Sequence, residues 1–355
     1  MKNFIWKLKN FRWEFEYGLK IIILILFSAL FFIVYINMTT LSLFFHNFNS
    51  LYNSFQFYSF YVGQGESSLV IVNNTTFLYD AGLSEHSERL CDEISAILRG
   101  NNLSKIDYFI ISHPHIDHTG GAMAILNRFD VENIFRPKVV TPFEENGNNY
   151  AVNYDKDYIE LIEKIEEENA NIQFITPQEF SLNGISVRFW TPQSATYSDE
   201  NEISPIVTIA YNGKMVMLTG DAVASTEAEF LELGENLKVD ILQVSHHGSK
   251  TASTAPFLNS ISPTLAVISC GIDNSYNFPA EEVIDRLYDA GTSEIFITKD
   301  SGTVGISLNE TSYKVASGFV FDDKATMLTM YFILFFLLLS LKFPKKKRLN
   351  YKNLA

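Results

Sequence analysis

Two cysteines, Cys91 and Cys270, are all that 355 residues contain, which excludes a disulfide-dense scaffold and any cysteine-built zinc ribbon. The chain also lacks a Pro/Gly-rich linker, an internal repeat and a basic stripe interleaved with aromatics, the usual footprint of a nucleic-acid groove. Basic residues are scarce in the middle. Residues 1–20 hold five basic and two acidic residues, and 325–355 hold six basic and none acidic. The body between them carries the remaining 16 basic and 39 acidic residues, net −23. Such a surface repels nucleic acid, so tight non-specific DNA binding is not expected. Apolar residues reach 47%, enough for a sizeable core and too many for a disordered chain.

The basic ends flank two hydrophobic runs. Residues 21–36, IIILILFSALFFIVYI, are uncharged, and with their flank to residue 40 they reach the ~20 residues a bilayer core requires. No small-x-small site follows, which favours a retained anchor over a removed signal. The second run, 325–341, stops at Lys342 and is followed by Lys345, Lys346, Lys347 and Arg348. A buried core helix is the alternative, but a basic tail is a poor end for one. The positive-inside rule places both basic flanks in the cytoplasm. The expected order is a basic tail (1–20), a transmembrane helix (21–40), one domain (55–318) outside the cytoplasmic membrane, a second transmembrane helix (325–341) and a basic tail (342–355).

Within that domain, apolar β-branched and aromatic runs predict strands at 55–62, 67–79 (turning at Asn73-Asn74), 106–112, 185–190, 205–211, 214–219, 239–245, 265–271, 294–299 and 303–308. Asn212-Gly213 predicts a two-residue type I′ hairpin. Helices are expected at 92–99, 121–129, 155–169, 225–233, 256–260 and 280–290. In helix 155–169 the apolar stripe reads Tyr158, Ile159, Ile162 and Ile165, and the acidic run is its wetted face. Hairpins early and βα alternation later suggest two sheets covered by helices, an α+β arrangement. A bridge between Cys91 and Cys270 suits an outer location, although Cys270 ends an apolar strand and reads as a buried thiol.

Five of the seven histidines fall in two short motifs. Ser112-His113-Pro114-His115-Ile116-Asp117-His118 follows a buried strand and precedes a helix, so its polar side chains project from a loop at a sheet end. His113 and His115 can face one way while Asp117 and His118 face another, the pattern of two neighbouring divalent ions such as Zn²⁺ or Mn²⁺. Leu218-Thr219-Gly220-Asp221 ends a strand in a carboxylate, which can bridge two ions. Ser245-His246-His247-Gly248-Ser249-Lys250 again follows a strand, and one of its histidines can complete a metal shell while the other donates a proton. A polar loop is the bland alternative for each.

HxHxDH, a later Gly-Asp and a still later His resemble the metallo-β-lactamase-fold hydrolases. Val62-Gly63-Gln64-Gly65-Glu66-Ser67-Ser68, Tyr79-Asp80-Ala81-Gly82 and His246-His247-Gly248-Ser249-Lys250-Thr251 look like the hydrolase domain of the ComEC competence family. The resemblance implies a four-layer αββα sandwich and two metal ions. His113 and His115 would hold one, Asp117 and His118 the other, with Asp221 bridging and His246 or His247 completing the set. Asp117, His246 and His247 would also serve catalysis, and Asp80 would orient a ligand histidine. It further implies hydrolysis of a phosphodiester, such as single-stranded DNA, by a hydroxide formed as the ions lower a shared water's pKa towards about 7. The chain departs from the family in three ways. Phe278 stands where a histidine is usual, Tyr61 where an aspartate is usual, and two spans cannot form the family's DNA channel, so a separate channel protein is the implied partner. A small ester or cell-wall phosphodiester is an alternative substrate. A non-catalytic accessory domain is the alternative from a different class.

Overall fold

Strands buried on both faces carry apolar side chains at consecutive positions, with odd and even residues entering different cores. The segment from Phe55 does this: Phe55 and Phe57 face one core, while Tyr58, Phe60 and Val62 face another. The computed structural model describes residues 22–23, 25–29, 55–137, 156–193, 199–272, 274–317, 331–333 and 335–336. Strands run in chain order as β1 (Phe55–Ser59), β2 (Ser68–Val72), β3 (Thr75–Tyr79), β4 (Ile106–Ile110), β5 (Val131–Arg136) and β6 (Asn171–Phe174). There follow β7 (Gln178–Leu182), β8 (Ile185–Trp190), β9 (Ile206–Tyr211), β10 (Lys214–Leu218), β11 (Ile241–Gln243), β12 (Leu265–Ile268) and β13 (Glu294–Ile297). The last two are β14 (Val304–Leu308) and β15 (Tyr313–Ser317).

They form two sheets. One has the order β15-β14-β1-β2-β3-β4-β5-β6 and the other β13-β12-β11-β10-β9-β8-β7. In the first, β3 to β6 run parallel; in the second, β10 to β13 do. Phe57, Val70 and Phe77 from one sheet and Ile209, Val216 and Val267 from the other fill the central core. Helices Ser87–Gly100, Ala122–Arg128 and Lys156–Glu167 cover the outer face of the first sheet. Ala224–Leu231, Ala255–Ile261 and Glu281–Asp289 cover that of the second. The result is the four-layer αββα sandwich. In the parallel halves the strands end together along one edge, where loops after β4, β10 and β11 emerge.

Local chemistry accounts for several turns. Asn212 and Gly213 both take positive φ, 49° and 74°, as a type I′ turn demands, and β9 and β10 pair across them. Asn73 and Asn74, at 47° and 65°, do the same between β2 and β3. Helix Lys156–Glu167 differs from expectation in one side chain: Tyr158, Leu161, Ile162 and Ile165 are buried, and Ile159 sits at the stripe's margin. The helix at 92–99 begins earlier, at Ser87. Both cysteines are free and lie in opposite outer layers, Cys91 against the first sheet and Cys270 against the second, so no bridge joins them. Burial pushes both thiols up to about 11.

The chain divides into two compact units, Met1–Leu41 with Phe321–Ala355, and Ser42–Val320. Most of the expected spans, 21–40 and 325–341, and all of both basic tails lie outside the described residues. Residues 22–23, 25–29, 331–333 and 335–336 are helical. The Phe27 and Tyr331 rings stack at 5.8 Å, and the Ser28 and Tyr331 hydroxyls lie 2.7 Å apart. Among the described residues no helix is long and apolar enough to cross a membrane.

Candidate metal centre

Each donor follows a strand of the parallel halves. The loop after β4 carries His113, His115, Asp117 and His118; the turn after β10 carries Asp221; the turn after β11 carries His246 and His247. Two glycines let these loops approach one another. A Cβ on Gly65 would sit 2.4 Å from the Asp117 carbonyl oxygen. Gly220 has φ +51°, and a Cβ there would lie 2.9 Å from both the Ser112 side chain and the Tyr79 hydroxyl. His246 and His247 take left-handed backbone angles, φ 51° and 54°. Residues other than glycine are uncommon there, histidine less so than most, and His246 N is held to the Gly220 carbonyl at 3.0 Å.

The donors converge in two groups, His113 with His115 and Asp221, and Asp117 with His118 and His247. Within each, one ligand atom per residue lies within 4.8 Å of the others. Asp221 serves both. Its Oδ1 lies 3.1 Å from His118 Nε2 and 3.6 Å from His247 Nε2, while its Oδ2 lies 4.0 Å from His113 Nε2 and 3.7 Å from His246 Nε2. His246, the residue left over, is partly exposed, and its Nδ1 lies 3.3 Å from the Thr251 hydroxyl.

Hydrogen bonds behind the rings decide which nitrogen faces inward. Buried Asp80 accepts from Ser112 N at 2.8 Å, from Ser112 Oγ at 2.7 Å and from His118 Nδ1 at 2.7 Å. The proton of His118 is thereby held outward and its Nε2 lone pair is turned to the site. Ser112 Oγ, having donated to Asp80, accepts from His113 Nδ1 at 2.9 Å. His247 Nδ1 donates to the Ser269 carbonyl at 2.9 Å. His115 Nε2 lies 3.1 Å from the Glu200 carboxylate, leaving Nδ1 to face His113 Nε2 at 3.0 Å.

Among the described residues, no hydrogen bond reaches His118 Nε2, His247 Nε2 or Asp221 Oδ1, all three fully buried. Unpaired buried polar atoms are costly, and here they aim at one another. Burial alone would lower His118 and His247, yet Asp221, with Asp80 for the first and Asp117 for the second, holds both imidazoles above their ordinary range. Conversely, burial would raise Asp117 and Asp221, and the facing imidazoles hold both below the carboxylate range. Burial, with His118 nearby, lowers His113 strongly. This charge pattern calls for a cation at the focus, and imidazole nitrogens with carboxylate oxygens are donors suited to Zn²⁺ or Mn²⁺. The residues fit two divalent ions.

Behind the turn at Asp221 stands a brace that the motifs do not reveal. Gln243 Oε1 accepts from Thr219 N at 2.8 Å and Gly220 N at 3.0 Å, and its Nε2 donates to buried Glu66 at 3.2 Å. Glu66 N in turn donates to the Asp117 carbonyl at 3.0 Å, and burial lifts its carboxyl to about 7. One polar residue at the end of an apolar strand was the only sequence signal for Gln243. Glu227 pins the loop after His247 in a similar way, accepting from Ser253 N and Thr254 N at 2.6 and 2.8 Å. Glu200 had no sequence signal; it sits on a single 3-10 turn, Glu200–Ile203. The Tyr61 ring packs edge-on to His86, beneath Arg89, and its hydroxyl accepts from Ile272 N at 3.4 Å.

A cleft of about 680 Å³ opens onto the donors, lined by His115, Asp117, Asp221, His246, His247 and Phe278 among others. Phe278 lies beside the site, its ring centre 5.9 Å from His246 and 6.5 Å from His247, and adds no ligand atom.

The sequence profile of the Metallo-beta-lactamase superfamily matches residues 60–272. Recombination protein 2 of Haemophilus influenzae is 30% identical over 231 residues, covering 64% of this chain and 26% of that protein. Competence protein ComA of Neisseria gonorrhoeae is 27% identical over 253 residues, covering 71% and 32%. ComE operon protein 3 of Bacillus subtilis is 25% identical over 210 residues, covering 58% and 25%. The chain therefore spans about a quarter to a third of the length of these competence-related relatives.

Proposed function

Because the chain belongs to the metallo-β-lactamase superfamily, we propose that it is a metal-dependent hydrolase of phosphodiester bonds, anchored in the cytoplasmic membrane with its hydrolase domain outside and both termini in the cytoplasm. The observation that carries the reading is the convergence of three unpaired buried atoms, His118 Nε2, His247 Nε2 and Asp221 Oδ1. His113, His115 and Asp221 would hold one divalent ion, and Asp117, His118, His247 and Asp221 the other. When bound, the ions supply Lewis acidity and make a water acidic enough to act as a nucleophile at neutral pH.

The chain's own residues do the rest. Asp80 keeps the His118 proton on Nδ1, the Ser269 carbonyl keeps that of His247 there, and Glu200 keeps that of His115 on Nε2. Each ligand thus presents a lone pair without rearrangement, the preorganisation a hydrolytic site requires. His246, at the cleft and outside both groups, is the residue placed to hand a proton to the leaving alkoxide. Its Nε2 lies 3.7 Å from Asp221 Oδ2, on the wall of the cleft.

Similarity to the competence-related proteins supports a nucleic-acid phosphodiester. The acidic body implies that a separate channel protein delivers the strand. The same surface favours a second reading, identical chemistry on a small ester or a cell-wall phosphodiester.

The test uses the full chain in detergent, stripped by chelator and reloaded with Mn²⁺ or Zn²⁺, on labelled single-stranded DNA beside His115→Ala. Cleavage that needs metal and disappears in the variant is the expected result. Bound metal without cleavage would move the substrate to the second reading. Absence of both would leave a non-catalytic accessory domain.

A further inference from the structure

Two aromatic rings at the cleft have no part in the ligand set. Tyr276 is 65% exposed. Its ring lies nearly parallel to that of Phe278, centres 5.2 Å apart and planes 14° apart. Phe278 is in turn tilted only 25° from His247, at 6.5 Å. Three rings therefore step from solvent to a candidate ligand, and the outermost one is largely open to solvent.

The segment carrying them is braced. Asn274 Oδ1 accepts from Phe278 N at 2.7 Å, and Asn274 Nδ2 donates to the carbonyls of Gly271 and Phe278 at 2.9 and 3.0 Å. Lys299 Nζ donates to the same Phe278 carbonyl at 2.7 Å. Gly271 N is tied across to Gln64 Oε1 at 3.1 Å. The backbone under the Phe278 ring is thereby fixed, so the ring that backs Tyr276 has little ordering entropy left to lose on binding.

Charge narrows the occupant. With a net −23 body and no basic stripe interleaved with aromatics in its sequence, affinity beyond the metal centre has to come from contacts indifferent to charge. Stacking of a planar base on an aromatic face is such a contact, and every base offers that face. A duplex keeps its bases stacked internally, whereas a single strand can splay one out. At position 278 an imidazole would extend the ligand set, while the phenyl ring present extends the stack instead.

We propose that Tyr276, backed by Phe278, is a stacking platform for one base of a single-stranded nucleic acid whose neighbouring phosphodiester lies at the metal centre. This rests on the phosphodiester reading and names its substrate class. Binding through stacking also makes affinity only weakly dependent on salt, unlike a backbone-gripping protein.

The test uses the full chain in detergent with Mn²⁺ and a short single strand carrying one 2-aminopurine, its fluorescence read in the first seconds after mixing. An otherwise identical strand with an abasic site at that position serves as competitor. The wild type and Tyr276→Phe should quench the fluorescence with similar affinity, and Tyr276→Ala should bind the base-bearing strand roughly 5- to 150-fold more weakly. Affinity for the abasic strand should be unchanged by Tyr276→Ala. No quenching by the wild type, or equal binding of the base-bearing strand by Tyr276→Ala, would overturn the platform. Quenching without cleavage of any strand would retain the platform and overturn the phosphodiesterase reading.

Discussion

His113 Nε2 and His115 Nδ1 face each other at 3.0 Å, both left as lone pairs by the hydrogen bonds behind the rings, whereas the inward nitrogens of His118 and His247 face carboxylate oxygens across the site. The supports differ in the same direction. His118 is backed by the buried Asp80 carboxylate and His247 by a backbone carbonyl, but His113 is backed by the rotatable Ser112 hydroxyl and His115 by a quarter-exposed Glu200. The lesson is that two ligand groups sharing one carboxylate need not be equally prepared. The Asp117–His118–His247 group sets carboxylates against imidazoles whose outward nitrogens are already tied, so it should bind first and more tightly. The His113–His115 group rests on the weaker supports and should fill second.

The comparison breaks most sharply at the shared residue. Asp221→Ala removes an oxygen from both groups, and bound metal measured by elemental analysis after dialysis should fall from two equivalents to nearly none. The loss should exceed the ~10–100-fold in affinity expected for a support residue. His113→Ala, by contrast, should leave one equivalent. An Asp221→Ala protein that keeps an equivalent would show that the groups are independent. Its circular dichroism should match the wild type, since neighbouring backbone is held by Gln243.

A smaller effect separates the supports. Asp80→Asn should weaken the tighter ion by about 10–100-fold in chelator competition, because an amide can no longer hold the His118 Nδ1 proton as an anion does. Glu200→Gln should weaken the looser ion by less than about 10-fold, its partner being reachable by water. Equal losses would erase the difference between the groups.

The smallest effect contrasts the site with the loop behind it. Asp117 and Asp221 are held ionised by imidazoles, but Glu227 is lifted by burial from 4.5 to about 7 despite its backbone donors. Between those values the folded protein keeps a proton that the unfolded chain has released. Stability from this group is therefore greatest below about pH 4.5 and declines as pH rises to 7, by on the order of 2–3 kcal/mol. Glu227→Gln should flatten the slope of unfolding free energy between pH 5 and 7, read by chemical denaturation. An unchanged slope would mean that Glu227 titrates alike in both states.

Much of this was readable from local pattern. The donors sit after apolar strands, as the motif and the preceding Ile, Phe and Val residues indicate, and the Asn-containing turns follow from their tolerance of positive φ. Strands β5, β6, β7 and β15 were not readable. Three of them are sheet edges, and β6 and β7 have one wet face and polar residues such as Gln173 and Glu179 at exposed or half-exposed positions. β5 lies inside its sheet but carries Glu132 and Asn133. Strand preference at such positions is set by the neighbouring strand more than by the residue.

By itself the sequence determined which atoms are available as ligands and that each is presented at the end of a buried strand, because apolar alternation and turn chemistry act over a few residues. It left open whether His246 or His247 completes a group, gave no sign of Glu200, and marked Gln243 only as one polar residue at the end of an apolar strand. Only the packing of the two sheets decided that His247 meets Asp117 and His118, that the oxygens of Asp221 divide between two groups, and that Phe278 stacks under Tyr276 at the cleft. The first two relations bring His113, Asp117 and His118 to residues 100 or more positions away, and no local interaction specifies the distance between them. It is set when the side chains of both sheets close on one core.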